Sequence, residues 1–161
     1  MIRGLVVFAL GCCLTAAANA QPLPDVATDE ELYAAYCLGV TITHQEQPAI
    51  TSQLKSLGIE PDPRVAEGEQ QTKEILDRHI SRFRGYLAAR GLLSGSRSIS
   101  AMSGARLARE RGQADARRCF ARIDGCVKKF SSNTYAVEDC SNEENACRSN
   151  DRCFKGDRLP F

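Results

Sequence analysis

The sequence predicts an all-α fold, a disulfide-stapled bundle of about four main helices followed by a short C-terminal helix. Three observations carry this expectation. Apolar residues return at helical spacing over long stretches, most regularly from Val65 to Leu87. No five-residue run alternates in the β-branched manner of a half-buried strand. Of the eight cysteines, six lie beyond a leader-like N-terminus, in the even number that disulfides require.

The first element is that leader. MIRGLVVFALGCCLTAAANA joins an early charge, Arg3, to a short apolar run and a small-residue end, Ala18-Asn19-Ala20. This is the form of a secretory signal peptide at residues 1–20, cut after Ala20. The apolar run is shorter than the roughly 20 residues a membrane span takes. Gly11-Cys12 offers a lipidation junction as a second reading, which Ala9 and Leu10 fit less well than the Ala-x-Ala site. Cleavage leaves 141 residues, enough for one domain with its own core. No Asn-x-Ser/Thr site occurs, and the expectation is bacterial export to the periplasm or the medium.

Residues 21–28, with two prolines, read as a flexible lead-in to a single helical domain at 29–158, with 159–161 as a tail. Thr28-Asp29-Glu30-Glu31 is a capping box, and Leu32, Tyr33, Tyr36, Cys37, Val40 and His44 follow at helical spacing, giving a first helix over 29–46. Pro48 opens a shorter helix carrying Ile50, Leu54 and Leu57, which Gly58 and Pro61-Asp62-Pro63 close. From Arg64 the period holds through Val65, Thr72, Ile75, Leu76, His79, Ile80, Phe83, Tyr86 and Leu87 up to Gly91. After LLSGSRSIS, a fourth helix starts at Ser98 or Ser100 and reaches Phe130. Its glycines weaken it by up to about 1 kcal/mol each, which leaves room for a break near Gly112. Ser141-Asn142-Glu143-Glu144 is a second capping box, heading a short helix through Arg148.

The six remaining cysteines are Cys37, Cys119, Cys126, Cys140, Cys147 and Cys153. With no Cys-x-x-Cys pair, and no histidine in ligand spacing with a cysteine, neither a zinc site nor a haem attachment is expected. Cys119 and Cys147, and inside them Cys126 and Cys140, stand symmetrically about Asn133. On a continuous helix, residues seven apart are about 10.5 Å apart along the axis. A disulfide needs Cα atoms within about 7 Å, so Cys119 does not reach Cys126. A chain reversal near Ser131–Thr134 brings Cys140 opposite Cys126 and Cys147 opposite Cys119, leaving Cys37 for Cys153. The capping box beside Cys140 keeps a Cys37–Cys140 pairing open. The nesting is similar in principle to the disulfide ladder of CHCH-type helical hairpins, over Cys119–Cys147 alone, with six residues between cysteines where that family has nine. It implies no function.

Charge is the least ordinary feature. Residues 78–129 hold thirteen Lys/Arg against Glu110, Asp115 and Asp124, whereas residues 25–77 hold eleven acids against Lys55, Arg64 and Lys73. The overall +1 therefore conceals a dipolar chain. One outcome is mutual neutralisation by surface ion pairs, each worth little. The other is a basic stripe for an anionic partner, with Arg106, Arg109, Arg117, Arg118, Arg122, Lys128 and Lys129 as anion-binding candidates. That partner is an acidic protein, a polysaccharide or a lipid surface. Nucleic acid is disfavoured, because only Phe120 and Phe130 interleave with the cations.

No catalytic or cofactor motif stands out: Gly-x-Ser-x-Gly, His-Glu-x-x-His and a nucleotide loop are all missing. The Glu pairs at 30–31 and 143–144 occupy first turns, where the helix dipole favours them. Three function classes follow. The first is a non-enzymatic exported binding protein acting through the Arg-rich face. The second is a small-ligand or metal-binding bundle using the inward face near His44 and His79. The third is an enzyme of unrecognised type.

Overall fold

The computed structural model describes the backbone over residues 23–130, with side chains to residue 125, together with Cys147 and residues 152–155. The leader, the short helix expected over 141–148 and the Cys126–Cys140 pairing lie outside the described residues. The helices are α1 (Asp29–Gln45), α2 (Ile50–Ser56), α3 (Pro63–Ala89) and α4 (Ile99–Phe130). Three of them, α1, α3 and α4, pack against each other. The expected count of four main helices is corrected to three, because α2 has seven residues, none of them buried, and rests on α3.

Local signals start and stop the long helices. Thr28 caps α1 by accepting from the Glu31 amide at 3.3 Å, while Glu31 Oε2 accepts from the Thr28 amide at 2.8 Å. Asp62 caps α3 ahead of Pro63, with Oδ1 accepting from the Arg64 amide at 2.8 Å. Gly91 ends α3 with φ of 70°, a conformation that other residues adopt at a cost.

α1 is the hub, packed most extensively on α4 and next on α3. A helix covered on two sides cannot keep a polar face, and Ala34, Ala35, Cys37, Leu38, Gly39, Val40, Thr41 and Thr43 are all buried. The small side chains let α4 come close. A methyl group on Gly39 would fall 3.0 Å from the Gln113 amide nitrogen, and nearer still to the Arg109 carbonyl oxygen. One on Gly112 would fall 2.9 Å from the Tyr36 carbonyl carbon, and nearer still to its oxygen. Gly112 therefore does not break α4, which is continuous through it; it admits the backbone of α1.

On the other side of α1, α3 contributes Leu76, Ile80, Phe83, Tyr86 and Leu87. The apolar period begins earlier, at Val65, yet Thr72 and Ile75 are exposed and the buried positions start at Leu76. The first half of α3 instead meets α2, whose N-cap residue Ala49 has no side-chain oxygen to offer. Glu69 of α3 supplies the cap from outside, its Oε1 accepting from the Thr51 amide at 2.9 Å and its Oε2 from the Thr51 hydroxyl at 2.6 Å. These bonds hold the Glu69 carboxyl below the usual glutamate range. A depressed folded pKa gives stabilisation that is present above the unfolded value and lost as pH falls through the folded one. Thr51 amide-exchange protection is accordingly expected to persist at neutral pH and to collapse on acidification below the ordinary carboxylate range. Glu69→Ala, which removes both acceptor oxygens, should remove most of it already at pH 7.

Among the described residues, two disulfides close the structure, Cys37–Cys153 and Cys119–Cys147, with Cα separations of 5.2 and 5.4 Å. Both are pairs that the nested arrangement requires. The first places Phe154 against the bundle between α1 and α3.

Candidate functional site

The end of the bundle where α1 begins is built around a buried ion pair. Glu31 is 1% exposed, and its Oε1 meets Arg97 Nη1 at 2.9 Å and Arg90 Nε at 3.6 Å. Arg97 also donates to the carbonyls of Pro24, at 2.6 Å, and Val26, at 3.4 Å, while Ser98 bonds the Asp25 carbonyl. From Pro24 onward, the lead-in is thus pinned to the α3–α4 connection. One of the thirteen cations is spent in the interior, and Arg90 divides itself between Glu31 and the face of Tyr86, 3.7 Å from the ring centroid.

The five anion-binding candidates with described side chains lie on different sides of α4. Arg106 lies 3.9 Å from Glu110 and Arg117 lies 3.9 Å from Glu46, both pairs in solvent, where such contacts contribute little. Arg109 is half-buried and lines a small cavity of about 250 Å³ with Leu87, Leu92 and Ala105. Arg118 and Arg122 are exposed on the outward side of α4, with Arg118 bonded to Asp115. The side chains of Lys128 and Lys129 lie outside the described residues.

The outward side also carries Arg111, a residue the sequence argument counted among the cations without singling it out. Positions 111, 118 and 122 differ by seven and four residues, so at about 100° per residue they fall within roughly 40° of one another. They make a row about 16 Å long on the axis. Arg111 and Arg122 are exposed and have no ion pair among the described residues. The spacing signal was present in the sequence; a count of charge per segment hides it.

Next to the row runs a groove between α1 and α4 of about 520 Å³, lined by Leu32, Tyr36, Gly104, Leu107, Ala108, Arg111 and Asp115. Asp115 is occupied on both oxygens, accepting from the Tyr36 hydroxyl at 3.1 Å and from Arg118. Phe120 and Ile123 do not join this face. Both are half-buried, and Phe120 packs edge-on against His44 with centroids 4.6 Å apart.

The two histidines converge on one aromatic residue. Phe154 meets His44 at 4.9 Å and His79 at 6.1 Å, edge-to-face in both cases. Burial first, then the charges of Arg82 and Arg78, lower the His79 pKa, which leaves the ring neutral at pH 7. His44 also borders a concavity of about 720 Å³ between the end of α1, α2 and the first half of α3, with Ile50, Val65 and Leu76 in its walls. His79 is not in that lining. Among the described residues, no three His, Cys, Asp or Glu side chains gather as a metal would need, and no helix is long and apolar enough to cross a membrane.

Compared with known proteins, the chain matches no family model, no curated protein and no solved structure.

Proposed function

We propose that the protein is an exported, non-enzymatic binding protein that meets an anionic partner through the outward face of α4. The observation that carries this reading is the row Arg111, Arg118, Arg122, two of whose members have no internal counter-ion among the described residues. Three guanidiniums along 16 Å present repeated fork-shaped donors, a chemistry suited to carboxylate, sulfate or phosphate groups. The disulfides suit the oxidising compartment that the leader implies. The α4 face is preferred to an internal site because both histidine rings are packed against Phe154, and His44 also against Phe120, while no metal-like group of ligands gathers among the described residues.

The test is retention on immobilised heparin and on anionic liposomes at low salt. Exposed charges attract within a Debye length of about 10 Å at 0.1 M salt, so elution is expected as ionic strength rises through a few tenths molar. Arg111→Glu with Arg122→Glu should move elution to lower salt with an unchanged circular-dichroism spectrum. Arg106→Glu should do less, since Glu110 already faces it. A wild-type protein that flows through both matrices at low salt would sink the reading.

A further inference from the structure

We propose that the anion this face takes is amphiphilic: a free single-chain molecule with its chain in the α1–α4 groove and its anionic head on Arg111. The proposal rests on the anion-binding reading of α4 and adds the chain. The groove has a predominantly apolar middle and a charged end. Leu32 and Tyr36 of α1 and Leu107 and Ala108 of α4 form its walls, and Gly104 lines one end. Leu107, 60% exposed, adds a large apolar side chain to the wall of the groove. At the other end stand Arg111 and Asp115. Asp115 is already satisfied by Tyr36 and Arg118, so the charge left to be met is the cation of Arg111, with Arg122 further along the row.

Dimensions decide between a free chain and a bilayer. From Gly104 to Arg111, where the head sits, the groove follows seven residues of α4, about 10.5 Å, roughly the length of an extended octyl chain. It is one helix pair wide, which suits one chain. Lying on a bilayer takes a broad apolar face, and on α4 the large apolar side chains exposed among the described residues are Ile99, at the first turn, and Leu107.

Alkyl phosphates of butyl, octyl and dodecyl length, each below its critical micelle concentration, provide the probe, titrated calorimetrically into the full oxidised chain. Full burial strengthens binding by up to about fourfold per methylene, so a half-open groove should give about twofold, and more than tenfold between butyl and octyl, with little further gain to dodecyl. Leu107→Asn, at an exposed position, should flatten this dependence and leave heparin retention unchanged; Gly104→Leu, which fills the groove, should do the same. Arg111→Gln should weaken every length by a similar factor, and dodecyltrimethylammonium should not bind. Equal affinity from butyl to dodecyl, or a chain-length dependence that survives Leu107→Asn, overturns the amphiphile proposal while heparin retention keeps the anion reading alive. Loss of heparin retention in the wild type overturns both.

Discussion

Arg97→Ala is expected to destabilise the protein by about 3 kcal/mol, because it leaves the buried Glu31 carboxylate with only the longer, 3.6 Å ion pair to Arg90. For a domain of this size, that is a fall in Tm of roughly 10 °C. Arg97 is also the donor for the carbonyls of Pro24 and Val26, so the segment before α1 should lose amide protection in the same variant. Glu31→Leu alone should cost a comparable amount, since it removes both the cap on Thr28 and the partner of Arg97. The double variant Glu31→Leu, Arg97→Leu should be less unstable than the two single losses combined, by about 1–3 kcal/mol in a thermodynamic cycle. Additive losses, read from urea unfolding, would show that the two side chains do not act as a pair.

The crossing of α1 and α4 gives the second large effect. Gly39→Ala and Gly112→Ala are each expected to destabilise by about 1–3 kcal/mol, the cost of overpacking. The obstacle in both cases is main-chain carbonyl, which cannot swing aside as a side chain can. Helix propensity alone demands the opposite, since alanine in place of glycine inside a helix gains roughly 0.5–1 kcal/mol. Gly104→Ala supplies the contrast, because its methyl would lie 3.4 Å from Leu32 Cδ2, an ordinary contact. It should be neutral or stabilising. A Gly112→Ala protein with a raised denaturation midpoint would contradict the close crossing.

These glycines mark where sequence reasoning stops. Helix propensity leaves room for a break at Gly112 because it weighs the residue against its own helix; the reason for the glycine lies in the carbonyl of Tyr36, 76 positions away. Glu31 behaves alike. Its capping role is written in Thr28-Asp29-Glu30-Glu31, whereas its pairing with Arg97 crosses 66 residues and leaves no local trace. The start of α3 shows the reverse error: Val65, Thr72 and Ile75 keep the helical period, yet burial begins only at Leu76. What was legible is what neighbouring residues decide, such as the capping box, the Asp62-Pro63 start and the Gly91 stop. The cysteine positions also carried Cys119–Cys147, because a chain reversal imposes symmetry on a ladder that spans it; Cys37–Cys153 followed only as the pair left over, with Cys37–Cys140 still open until the structure showed the bridge. For the charged face, segment totals led to seven cations; angular position on α4 separates the flanking Arg106 and Arg117 from the row at Arg111, Arg118 and Arg122.

The Cys37–Cys153 bridge also determines how the molecule bears load. Its two cysteines are 116 positions apart, and α2, α3 and α4 all lie within the loop it closes. Tension applied at the two chain ends passes directly through the sulfur–sulfur bond, and the enclosed helices are shielded from it. On the N-terminal side, the only described helix in the line of force is the part of α1 before Cys37, about two turns, and the Glu31–Arg97 clasp must open before those turns peel. The oxidised protein is therefore a short-reach mechanical link, one that yields by those turns and then stops. A protease cut in the α3–α4 connection leaves two pieces that remain covalently joined.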